Sequence, residues 1–110
     1  MVTFVLSRIE GFDWDKGNID KNRIKHNVFK EECEQVFYNQ PLRIFDDDVH
    51  VKNEKRYGAL GKTNKGRYLV IFFTIRSNKI RVISARDQGK KDRKVYQEAE
   101  RQFKKESEVN

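Results

Sequence analysis

A single cysteine, Cys33, stands in 110 residues, so no disulfide can form within the chain. One thiol and two histidines serve poorly the ligand sets that hold zinc. No apolar run approaches the roughly 20 residues of a membrane helix. Met1 to Ile9 is too short, and too soon followed by acids, to read as a signal peptide. These absences point to a cytoplasmic chain without membrane contact. Walker loop, dinucleotide fingerprint, HExxH motif and nucleophile elbow are also missing. The run Asp46-Asp47-Asp48 lacks the spaced oxygen ligands of a recognised cation loop. There is no internal repeat, low-complexity tract or linker, and residues 1–110 read as one domain.

What is present is positive charge. Lysine and arginine number 24 against 17 acids, for a net charge of +7. On so small a domain that surplus is a footprint for polyanions, nucleic acid first among them. Aromatics make up 12% of the chain, too many for a disordered one.

The apolar pattern changes period once. Met1 to Glu10 alternates weakly, as a short edge strand or extended arm would. Asp13 or Asp15 can then cap a helix over Lys16 to His26, and Asn27 suits its left-handed stop. Phe29, Cys33, Val36 and Phe37 give a second helix one apolar face, ended by Asn39-Gln40-Pro41. From Leu42 the period is that of strands. Leu42 to Phe45 is followed by a polar loop carrying Asp46 to Asp48, His50 and Glu54. A strand from about Arg56 to Gly61 and a turn at Thr63 to Gly66 come next. Tyr68 to Ile75 and Ile80 to Ala85 then form the strongest strand pair. Lys90 to Lys105 closes the chain as a helix, with Val95, Ala99 and Phe103 every four residues. The order is helix pair, antiparallel β-meander, C-terminal helix: an α+β domain.

The last hairpin carries the most chemistry. With a two-residue loop at Ser77-Asn78, Thr74 pairs with Arg81 and Arg76 with Lys79; a four-residue loop pairs Arg76 with Arg81 instead, and both registers put Thr74, Arg76, Lys79 and Arg81 on one face. Cations facing one another across strands repel unless an anion lies between them. The hairpin is thus either a phosphate patch or a solvated tip whose arginines are met by acids elsewhere. By simple alternation Arg86 falls on the opposite face. Lys90, Lys91, Arg93 and Lys94 either extend a surface that tracks a nucleic-acid backbone or form a wet helix face. Lys25-His26 ends the first helix, where the dipole favours a charged histidine. Asn18 and Asn22 share that helix's Lys25 face and lower its propensity, as residues bonding something else would. Glu54 beside Arg56 is either a base with a phosphate clamp or a structural ion pair.

Taken together, these segments resemble the BrnT family of type II toxins, which have a RelE-like fold. The resemblance runs from about Phe12 to Tyr96. It rests on Phe12-Asp13-Trp14-Asp15, Asn18, Asn22, Lys25-His26 and Glu32. It continues through Asp47, His50, Glu54, Arg56-Tyr57 and Leu60-Gly61. It ends with Phe73 to Arg76, Ile80 to Arg86, and Tyr96. Departures are Asn27 for a usual glycine, Val51 for a serine, Gln88-Gly89 for a capping pair and Asp92 for a glutamate.

The resemblance implies an endoribonuclease that cleaves RNA without a metal or other cofactor and inhibits translation. It also implies an antitoxin of the BrnA type with a ribbon–helix–helix region, which brings the complex to operator DNA. On the matching positions it casts Arg76, Arg81 and Arg86 as catalytic phosphate stabilisers, since an arginine fork meets two phosphate oxygens and keeps its charge. It casts His26 or Glu54 in proton transfer. Lys25, Arg56, Lys79, Lys90, Lys91 and Tyr96 are expected to support RNA binding. Two other functions fit the same composition: a basic module that binds RNA or DNA without cleaving it, and a degenerate toxin kept as a co-repressor.

Overall fold

The computed structural model describes residues 6–51 and 54–109; the side chains of 48–51 and 109 lie outside that description. The first helix begins where polar side chains can meet its free amides. Asp15 Oδ1 accepts from the Asn18 amide at 3.0 Å, and Asn18 Oδ1 accepts from the Asp15 amide at 2.8 Å. This reciprocal cap opens α1, Lys16–His26, and Asn27 closes it in the left-handed region at φ 54°. Helix α2, Lys30–Tyr38, follows. Glu32, in its first turn, accepts from the Phe29 amide at 3.1 Å. Helix α3 spans Lys90–Val109.

Five strands, β1 (Gly11–Phe12), β2 (Arg43–Val51), β3 (Glu54–Lys62), β4 (Tyr68–Arg76) and β5 (Lys79–Asp87), form one sheet in the order β1-β5-β4-β3-β2. Strands β2 to β5 make the expected antiparallel meander. The sequence pattern missed β1, which runs parallel to β5 at Lys79 and Ile80. Before it, a turn links the Ile9 amide to the Leu6 carbonyl. Residues 1–5 of the expected edge strand or arm lie outside the described residues.

The acidic segment expected as a loop belongs to β2. Asp46 pairs with Tyr57 and Asp47 with Arg56 across the β2–β3 ladder. Opposite charges make this affordable: Lys55 Nζ lies 3.6 Å from Asp46, and Arg56 Nε 3.1 Å from Asp47. The backbone of His50 is in β2, while its side chain lies outside the described ones.

One sheet face packs against α2 around Val28, Cys33, Val36, Tyr57, Leu69, Ile71, Phe73 and Val82, while α1 lies along β5. The opposite face is covered at one end only, where Tyr96 of α3 packs on Leu60 and Val70. Between α2 and β3 the fit leaves no room for a side chain. A Cβ on Gly61 would lie 2.5 Å from Val36 Cγ1, and Val36 is fully buried and stiff at χ1. Gly61→Ala should therefore destabilise the fold by about 1–3 kcal/mol. A thermal melt checks this, and an unchanged or raised Tm would show that the contact can relax.

The polar residues of α1 have a structural task. Asn18 Nδ2 donates to the Val82 carbonyl at 3.2 Å, Lys21 Nζ to the Ile83 carbonyl at 3.2 Å, and the Ala85 amide donates to Asn22 Oδ1 at 3.0 Å. Asn18 and Asn22 are buried, so these bonds satisfy strand groups that would otherwise be stranded.

Candidate nucleic-acid interface

Of the two loops open to the β4–β5 hairpin the structure has the two-residue one, with Ser77 and Asn78 at φ 51° and 63° and Thr74 opposite Arg81, Arg76 opposite Lys79. Two positive φ angles in succession belong to the turn that matches strand twist. Farther along, the register shifts: Phe73 pairs with Val82, but Phe72 pairs with Ser84. Ile83 is the extra residue of a β-bulge. This corrects the simple alternation, which sent Arg86 to the far face. Past the bulge the phase of β5 is inverted, and Arg86 pairs with Val70. Partners in a ladder point to the same side, so Arg86 joins Arg76, Lys79 and Arg81.

The same counting puts Phe45, Asp47, Arg56, Gly58, Phe72 and Thr74 on this face. It is the face that α3 covers only at the Leu60–Val70 end. At its middle stands Phe72. The Arg56 guanidinium lies 5.8 Å from the centre of its ring and that of Arg86 5.4 Å. Phe45 meets it edge-on at 6.2 Å.

The arginines differ in what holds them. Arg76 makes a bidentate pair with Glu54, with both bonds at 2.7 Å. That pair holds the Glu54 carboxyl below its usual pKa, so Glu54 is ionised at neutral pH. Arg81 donates to Asp15 at 2.7 Å and lies 3.5 Å from Asp13. Arg56 is paired with Asp47. Among the described residues, Arg86 is exposed and has no carboxylate partner; its contact is the Phe72 ring. The repulsion expected across the hairpin is thus relieved at Arg76 and Arg81 by acids of the same chain.

The remaining expected residues divide. Lys79, Lys90 and Lys91 are exposed, at the hairpin tip and in the first turn of α3. Lys25 is exposed in the last turn of α1. Tyr96 needs correction as an RNA contact: it is fully buried, and its hydroxyl donates to the Pro41 carbonyl at 2.7 Å. Burial pushes its pKa up. It is a strut between α3 and the sheet. His26 and Glu54 are not brought together. The His26 carbonyl accepts from Arg67, just before β4, whereas Glu54 pairs with Arg76 at the other end of that strand. A nine-residue strand separates such ends by about 26 Å.

Arg67 escaped notice in the sequence because it sits in a turn with no motif around it. It donates to the carbonyls of His26 and Asn27, to both oxygens of Glu32 and to both oxygens of Asp87. One guanidinium thus ties the end of α1 to the start of α2 and the end of β5. Among the described residues, no three Cys, His, Asp or Glu side chains form a group that could hold a metal.

Comparison with known proteins fits this picture. No curated protein sequence matches the chain. Among solved structures it is similar to the Brucella abortus ribonuclease toxin, BrnT, with a TM-score of 0.56 and 19% identity, over 73% of this chain and 97% of that one. At that identity the likeness supports the fold. Residues 14–92 match the model of the ribonuclease toxin BrnT of type II toxin–antitoxin systems. The chain belongs to the BrnT family of ribonuclease toxins.

Proposed function

We propose that this toxin is an endoribonuclease that needs no metal, acts on RNA laid across the sheet face left open by α3, and thereby inhibits translation. The observation carrying this reading is the row of Arg56, Arg76, Arg81 and Arg86 along one sheet face that α3 covers only at its Leu60–Val70 end, with Arg56 and Arg86 against Phe72. Attack of a 2′-hydroxyl on its own 3′-phosphate forms a 2′,3′-cyclic phosphate and breaks the bond to the 5′-oxygen, which gains a proton as the 2′-oxygen loses one; negative charge builds on the phosphoryl oxygens in between. Fixed guanidinium donors stabilise that charge most where it is greatest, in the transition state. Arg86 is placed to do so first, because it has no carboxylate to surrender. Arg76 and Arg81 would exchange Glu54 and Asp15 for phosphate oxygens. Glu54 is ionised and serves as proton acceptor for a phosphate held at Arg76 and Arg81, not for one held at Arg86, about 20 Å along β4. His26, at the far end of β4, has no part at this face.

The inhibitor is an antitoxin of the BrnA type, whose ribbon–helix–helix region would carry the pair to operator DNA. An acidic segment of it would occupy the arginine face, as Glu54 and Asp15 do within the chain. That same self-pairing of Arg76 and Arg81 favours a second reading, a degenerate toxin that binds but does not cleave. Incubation of a defined RNA with the purified protein in EDTA separates the two. Cleavage there supports the first reading; intact RNA in both EDTA and magnesium overturns it, and cleavage only with magnesium overturns its metal independence.

A further inference from the structure

Phe45 and Phe72 are the two aromatic rings that stand among the arginines of this face. Phe12, Phe37, Tyr57 and Phe73 join the main core on the opposite face, Tyr68 and Tyr96 pack under α3, and Phe72 borders that second cluster while half-buried. Phe45 instead stays 36% exposed. Its ring occupies the space over Gly58, where an added Cβ would come within 2.1 Å of Cζ. The glycine thus leaves room for the end of the Phe45 ring beside Phe72. Phe72 carries a guanidinium on either flank, and that of Arg86 is exposed and has no carboxylate among the described residues.

We infer that Phe72, with Phe45 beside it, is a stacking subsite for one nucleobase of single-stranded RNA, and that Arg86 serves the adjoining phosphate. This rests on the reading of the face as RNA-binding. A guanidinium is held on a ring by the ring's quadrupole, a weak attraction at an exposed site. A base brings a larger flat surface and a phosphate. Arg86 moves from ring to phosphate oxygen, and the base takes the vacated ring face. Stacking of this kind tolerates any base, since each has a π-face, but requires an unpaired one. The subsite therefore selects unpaired RNA and leaves base identity to other contacts.

The test uses an oligonucleotide with 2′-O-methyl groups, which the protein can bind but not cleave, followed by fluorescence anisotropy. Phe72→Leu should weaken binding about tenfold. Phe72→Tyr, which keeps the ring, should bind close to wild type, and circular dichroism melts show whether each variant is folded. Against an oligonucleotide with an abasic position in the stacked place, wild type and Phe72→Leu should bind alike. Equal affinity of Phe72→Leu and wild type for the intact oligonucleotide would overturn the subsite while leaving RNA cleavage by wild type to uphold the broader reading. Loss of binding by Phe72→Tyr as severe as that of Phe72→Leu, with the fold retained, would also overturn it. If the wild-type protein neither binds nor cleaves RNA, both fall.

Discussion

Arg86→Ala should slow cleavage of a defined RNA by about a hundredfold. That is the effect of about 3 kcal/mol of lost transition-state stabilisation, typical of one well-placed charge-assisted donor. The melting temperature should not move with it, because Arg86 is exposed and has no ion pair among the described residues. This makes Arg86 a cleaner probe than its neighbours. Arg81→Ala also releases Asp15, the carboxylate that caps α1, so a change in stability accompanies any change in rate. Arg76→Ala unpairs Glu54 and leaves its negative charge uncompensated on the face. Arg86→Lys should recover part of the rate and no more, since an ammonium lacks the planar fork. Near-wild-type cleavage by Arg86→Ala would move the phosphate site to the Arg76–Arg81 hairpin.

Arg67→Ala should have the largest effect on stability, about 3 kcal/mol, which for a domain of this size lowers Tm by roughly 12 °C. The estimate is well below the sum of its bonds because the side chain is 27% exposed and water can replace some of them. What water replaces badly is the simultaneous hold on two carbonyls and two carboxylates. Arg67→Lys should therefore rescue little. The same cluster gives a pH signature. Hydrogen bonding to Arg67 lowers the Asp87 pKa below its unfolded value. The stabilisation is then complete above the unfolded carboxylate range, near pH 4, and is lost as pH falls through the lower folded value. Melts of wild type and Asp87→Asn across acid pH should converge at the low end. A constant gap between them would show that Asp87 acts by packing alone.

The helices and the final hairpin were legible because local rules decide them. An Asp cap and an Asn stop mark α1 as observed, and either loop length puts Thr74, Arg76, Lys79 and Arg81 on one face, while the choice of the two-residue loop came from the structure. Three features lay beyond those rules. The acids of β2 look like a loop until Lys55 and Arg56 are seen opposite them. The bulge at Ile83 has no local mark, yet it decides which side Arg86 serves. Tyr96 looked available on a charged helix because its burial depends on Leu60 and Val70, far away in sequence. Gathering Arg56, Arg76, Arg81 and Arg86 on one face, and excluding His26 from it, needed the ladder of all four meander strands.

The side-chain bonds from α1 to β5 have a consequence for how other chains approach. A sheet usually ends in a row of free amides and carbonyls, which any extended peptide can extend by one more strand. Here Asn18, Lys21 and Asn22 stand in that place, bonded to Val82, Ile83 and Ala85. They act as a counterfeit neighbour strand, and β1 fills the positions before them. An intruding peptide on that border finds these groups already taken. Along it, recognition has to proceed through side chains, which can discriminate between partners as main-chain pairing cannot.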